Sequence, residues 1–204
     1  MVRRVSLIAA LTLVVALAAT ATAIAGGFLP VKGNPADKLV TLPIDDYGYD
    51  YAKDCRKKPT PGAEALVAWL TQNAGGQFWG IMRCERWGKG RASLHAEGRA
   101  IDWHLDVHNA ADKAEATRLI KLLLAPDSAG NLHALARRMG IQEIIWNCQS
   151  WYSGSDALRP YSPCFDKDGK RQKIDDTTAH RNHIHIGLNW LGAKKRTTFW
   201  SQGK

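Results

Sequence analysis

The chain has 204 residues, 45% of them apolar and 23% charged, with 18 Gly and 8 Pro. That composition suits one globular domain with extensions and excludes a collagen-like, coiled-coil or wholly disordered protein. A formal charge of +9 leaves nucleic acid, an anionic membrane or an anionic wall polymer as conceivable neighbours.

Arg3 and Arg4 open the chain, an apolar run extends from Val5 to Ala19, and Ala23-Ile24-Ala25 fits the small-residue pattern of a signal peptidase site. Residues 1–25 therefore read as a signal peptide, and the remainder as secreted or held in the cell envelope. Uncleaved, the stretch from Val5 to Ala25 is long enough to span a bilayer and would be the chain's membrane contact. Export makes disulfides the expected state of Cys55, Cys84, Cys148 and Cys164, whose number is even and which form no C-x-x-C pair. Three pairings are possible. Cys148 with Cys164 would close a Gly/Ser/Pro-rich excursion, and Cys55 with Cys84 would tie the entry segment to the core.

Residues 26–59 mix Gly, Pro, Asp and Tyr without a sustained period and read as a linker or N-terminal arm. Thr60-Pro61 marks a helix start, with Leu66, Trp69 and Leu70 on one face and Gly75-Gly76 as its end. Asn109 is a candidate cap for a second helix, in which Ala116, Leu119, Ile120 and Leu123 keep helical spacing up to Pro126. A shorter helix is expected from Asn131 to Met139, with Leu132, Leu135, Ala136 and Met139 inward, His133 in solvent and Gly140 at its end. Strands are expected from Ala100 to Val107, Ile141 to Trp146 and His183 to Leu188. Helices and strands do not alternate regularly, so the expected class is α+β, a small antiparallel sheet with flanking helices.

The histidines are unevenly spread. His95, His104 and His108 fall in one segment, His180, His183 and His185 in another, and His133 stands alone. His183 and His185 share a face if their segment is a strand. His95 and Asp102 can meet if the chain turns between them, and Gly98 allows that turn. Two imidazoles and a carboxylate around an open fourth position suit a catalytic zinc ion. Asp102, His104, Asp106 and His108 also alternate, which invites a second metal, although His104 and Asp106 would equally line a cleft. Of the eight Trp, Trp79, Trp87, Trp103, Trp146 and Trp151 surround these segments; most read as core, with one or two available to stack on sugars.

Ser93-Leu94-His95-Ala96-Glu97-Gly98-Arg99-Ala100-Ile101-Asp102 resembles the S-x-H-x-x-G-x-A-x-D signature of the zinc D-Ala-D-Ala metallopeptidases, which include the VanY-like carboxypeptidases. His183-Ile184-His185 resembles the H-x-H closing motif of the subgroup containing penicillin-insensitive murein endopeptidase. The resemblance implies a Hedgehog/DD-peptidase-like fold over residues 60–190, followed by a basic tail at 191–204. By position it makes His95, Asp102 and His185 the zinc ligands. It places His183 at the base, because Asn182 stands where many relatives carry a catalytic Glu and an amide cannot take a proton. Arg83 matches an upstream Arg that holds a substrate carboxylate or carbonyl and stabilises the oxyanion, a role Arg86 could serve equally, and Ser93 would contact substrate or the metal's surroundings. The implied activity is secreted zinc peptidase, a carboxypeptidase or endopeptidase cutting D-amino-acid-containing peptidoglycan peptides, in a monomer without a nucleic-acid partner. The alternatives are a zinc-containing module of this fold that binds wall peptide or glycan without catalysis, and a wall-binding protein whose histidines are incidental. The tracts Arg56-Lys57-Lys58 and Lys194-Lys195-Arg196 read as solvated faces.

Overall fold

Thr60 ends an extended stretch and turns its hydroxyl onto the Ala63 N–H, so that Pro61, which has no N–H to lose, can open helix α1 (Pro61–Asn73). Asn109 does the same for α2 (Ala110–Leu124), accepting from the N–H groups of Ala111 and Asp112. The third helix, α3 (Ala134–Met139), begins later than its apolar spacing suggests. His133 precedes it in a left-handed conformation, and Leu132 is left exposed rather than inward. Gly140, at φ 73°, ends it as expected.

In the computed structural model, which describes residues 33–202, these helices cover one face of a six-stranded antiparallel sheet. The strands are β1 (Gln77–Gly80), β4 (Ala100–His104), β5 (Ile141–Trp146), β6 (Gln149–Tyr152), β7 (Arg159–Pro160) and β8 (His183–Leu188), in the order β1-β4-β8-β5-β6-β7. A separate hairpin joins β2 (Arg86–Gly88) to β3 (Arg91–Ala92). The chain leaves the sheet after His104, short of Val107, because Val107 bonds to the Arg181 carbonyl and Asp106 to the Asp112 side chain. The fold is α+β, with a sheet larger than sequence alone delineates.

Side chains alternate across the pleat, and the alternation divides the sheet chemically. Ile101, Trp103, Ile144, Trp151, Ile184 and Ile186 point to the helices and pack against Leu66, Leu70, Leu119, Leu123, Leu135 and Met139. Each fully buried aliphatic side chain contributes roughly 1.5–3 kcal/mol. Asp102, His104, His183, His185 and Glu143 occupy the other face.

The expected signal peptide lies outside the described residues. The described part of segment 26–59 is an arm bound tightly to the domain: Pro35–Leu39 forms a 3-10 turn with Ala36 buried, and Asp50 accepts from Arg99 and Trp190. The basic C-terminal stretch does not trail as a tail through its described part. It forms α4 (Trp190–Ala193) and α5 (Thr198–Ser201), held because Asp45 accepts the Thr198 N–H and Trp200 donates to the Met139 carbonyl. Cys55 pairs with Cys84, and Cys148 with Cys164, which shows an oxidising environment. Closing these loops stabilises the fold by roughly 3 kcal/mol apiece in the chain-entropy account. Among the described residues no helix is long and apolar enough to cross a membrane.

Candidate metal centre

Residues 93–98 form a tight turn in which Ala96 donates to the Ser93 carbonyl and Gly98 to the His95 carbonyl. Gly98 has φ 67°, and a Cβ there would lie 2.7 Å from the Lys58 carbonyl oxygen, so the turn requires glycine. The turn folds His95 back over β4, whose Asp102 lies directly across from His185 of β8. The register thus places three side chains from two distant segments at one point.

His95 Nδ1 lies 2.7 Å from the Ile81 carbonyl oxygen, to which it donates, leaving a lone pair on Nε2. That Nε2 is 3.0 Å from Asp102 Oδ1 and 3.0 Å from His185 Nδ1, and the last two atoms are 3.4 Å apart. All three residues are buried, and they could hold a metal ion in common. Donor atoms packed this closely repel one another unless a positive charge lies between them, so the set suits a cation. Burial alone would raise the Asp102 pKa, but the adjoining imidazoles of His185 and His95 outweigh it and hold the carboxyl below the usual carboxylate range. Burial would lower His185; its contacts with Asp102 and Glu143 outweigh that and raise it.

Glu143 belongs to no motif that marks it in the sequence. Its Oε1 lies 3.2 Å from His185 Nε2, a close charge contact without good hydrogen-bond alignment, and its Oε2 accepts from the Tyr49 hydroxyl at 2.9 Å. A carboxylate behind a ligating imidazole favours the tautomer that presents the other nitrogen to the metal. The available signal was a single acidic residue within the apolar strand Ile-Gln-Glu-Ile-Ile-Trp, where an ionised group needs a partner. Glu143→Gln is expected to weaken metal binding by about 10–100-fold, and Tyr49→Phe by less. Competition against a chromogenic chelator measures both, and unchanged affinity in Glu143→Gln would remove the assignment.

The remaining candidates are distributed around this point. His183 Nδ1 lies 2.8 Å from Asn182 Oδ1, and its Nε2 lies 3.5 Å from Asp102 Oδ1. Burial lowers its pKa to about 4, so it is neutral at pH 7. His180 lies against it, the two rings tilted by 44° with centroids 4.7 Å apart, and burial lowers the His180 pKa to about 3. Arg83 donates to Asp102 Oδ2 at 3.2 Å and pairs with Glu85 at 2.6 Å. Ser93 lines the cleft while its hydroxyl accepts the His95 N–H at 3.2 Å.

His108 pairs with Asp176, away from His104, and His133 is buried against Tyr47 and Trp151 rather than solvated. Among the described residues, His95, Asp102 and His185 are the one group of three placed to share an ion. Of the tryptophans, Trp103, Trp146 and Trp151 are core, whereas Trp79 and Trp87 are at least half exposed.

Two cavities meet at the centre. The larger, about 480 Å³, is bordered by Tyr49, Tyr51, Trp87, Glu143 and His185; the smaller, about 210 Å³, by Trp79, Met82 and Asp102. Arg83 and His95 border both.

No curated protein and no solved structure matches the chain. The sequence does match the family described as VldE, C-terminal domain, over residues 55–182, a span that contains Arg83, His95, Asp102 and Glu143 and ends just before His183. The match covers more than half of the chain, which therefore belongs to the VldE C-terminal domain family.

Proposed function

We propose that the chain is a secreted zinc peptidase that hydrolyses peptidoglycan stem peptides or their cross-links. The observation that carries the reading is the buried His95–Asp102–His185 triangle where two open cavities meet. Its edges of 3.0, 3.0 and 3.4 Å are near the spacing of about 3.3 Å that tetrahedral ligands take around zinc. The resemblance of SLHAEGRAID and HIH to the zinc D-Ala-D-Ala metallopeptidases supports the same assignment.

Zinc held by these three residues supplies Lewis acidity to a peptide carbonyl and to water. The chain's own groups supply the rest. Asn182 cannot accept a proton, but its carbonyl oxygen accepts from His183 Nδ1 and so leaves His183 Nε2 unprotonated beside Asp102. His183 is therefore the general base, taking a proton at Nε2 and returning it to the leaving amine. Arg83, half exposed and steered by Glu85 and Asp102, offers N–H donors to a substrate carboxylate or developing oxyanion. The two cavities that share Arg83 and His95 at their borders are consistent with a peptide that continues past the scissile bond in both directions. That favours cleavage within a cross-link over removal of a terminal residue.

The test is a muropeptide digest read by mass spectrometry, with zinc content measured on the same samples. The native chain is expected to release cleaved peptides. His183→Ala is expected to keep one zinc per chain and lose about 100-fold or more in rate. Equal product from both would remove His183 as base, and no product from either, with zinc bound, would make the chain a binding module.

A further inference from the structure

The basic tract Arg56-Lys57-Lys58 and the first residue of the second tract, Lys194, far apart in sequence, come together in space. Arg56, Lys57 and Lys58 form one wall of a groove of about 440 Å³, Lys194 the other, and Trp190 lies between them. The groove shares no bordering residue with the cleft at the metal centre. The Arg56 guanidinium carbon stands 4.4 Å from the Trp190 ring centre and Lys194 Nζ 5.3 Å from it. The buried Arg99 guanidinium, paired with Glu97, adds a third cation at 4.7 Å.

Among the described residues, Arg56, Lys57, Lys58 and Lys194 form no ion pair, whereas Arg83, Arg86, Arg118 and Arg181 all have carboxylate partners. Thr60 and Pro61, which open α1, also border the groove, so the positive end of that helix adds to its field. The walls are fixed. Arg56 donates its N–H to the Ala96 carbonyl at 2.7 Å, Thr60 donates to the Gly98 carbonyl at 2.9 Å, and Lys194 closes a turn onto Trp190.

Arg56, Lys57, Lys58 and Lys194, held together with no ion pair of their own among the described residues, outnumber the nearby Asp50 carboxylate that accepts the Trp190 N–H, and an anionic ligand recovers the cost of their repulsion. We propose that this groove binds a linear phosphodiester polymer outside the cell, anchoring the chain while the cleft stays open. Two features select that occupant. The cations come from both walls, which suits a strand lying between them better than a flat bilayer. The paired cysteines place the chain where nucleic acid is not the usual polyanion. The inference does not depend on the peptidase reading, because binding is measured without turnover.

The experiment uses fluorescently labelled poly(glycerol phosphate) and the disulfide-bonded chain, followed by anisotropy over a salt series. Poly-glutamate, duplex DNA and anionic phospholipid vesicles are the competitors. Saturable binding that weakens steeply with salt is expected, with at least tenfold loss in the triple variant Lys57→Ala/Lys58→Ala/Lys194→Ala. That variant should keep the native melting temperature and metal content. The proposal is overturned if the polymer does not bind, if the triple variant binds it equally, or if poly-glutamate, DNA or vesicles compete better than unlabelled polymer.

Discussion

Asp102→Asn is expected to lose metal binding by more than 100-fold while keeping the fold. Changes one shell out from a metal typically cost about 10–100-fold, and replacing a ligating carboxylate by an amide of equal shape removes both a charge and a donor. The readouts are metal content by mass spectrometry and the melting temperature with and without zinc. A metal present at a hundred times its Kd stabilises a folded chain by about 2.7 kcal/mol. The native protein should therefore melt higher on addition of zinc, and Asp102→Asn should not. Hydrolysis should fall with metal content. If Asp102→Asn retains one tightly held ion per chain, the triangle of His95, Asp102 and His185 is not the site.

Arg99→Ala is expected to cost about 3–5 kcal/mol of stability, as breaking a buried charge pair does. Arg99 is fully buried. Its Nε donates to Glu97 at 2.7 Å, and its two terminal nitrogens donate to the carbonyls of Leu188 and Asp50. Removing it leaves the buried Glu97 without its cation and two carbonyls without donors, while the arm loses an anchor beside β8. Arg99→Lys should recover little, since one ammonium cannot reproduce the planar fork. Urea denaturation measures the loss, and a change below about 1 kcal/mol would show that the network is dispensable.

Arg99 also illustrates what the sequence conceals. It occupies a variable position of the ten-residue motif, and nothing in the linear pattern indicates that its guanidinium joins three segments. The helices α1 and α2 were legible because Thr60 and Asn109 are local caps followed by regular apolar spacing. The strands β5 and β8 were legible because burial makes them apolar apart from Glu143, His183 and His185 at the site and Gln142, which bonds the backbone of Asp50. Strand β1 was not, since it lies at the sheet's edge with Gln77, Phe78 and Trp79 exposed, and so lacks alternation.

The neighbours of His133 suggest a helical surface position. Its left-handed backbone instead turns it inward to Tyr47. Spacing brings His95 to Asp102 through the turn at Gly98 and puts His183 and His185 on one face; the choice of His185 as the third member comes from the resemblance of SLHAEGRAID and HIH to the zinc D-Ala-D-Ala metallopeptidases. Glu143 depended on the pairing of β5 with β8, which no local pattern encodes. Asn182 could be read only as a missing carboxylate; the structure gives it a positive task in orienting His183.

The two-sided character of the sheet has one more consequence. A slip of β8 by a single residue against β4 would turn His183 and His185 toward the helices and Ile184 and Ile186 toward the cleft. Ionisable rings would then sit in hydrocarbon, and isoleucines would line the water-filled space. The alignment that completes the triangle is therefore the one that lets the interior pack. A misaligned sheet would lose cohesion before it could persist as a folded but inactive form.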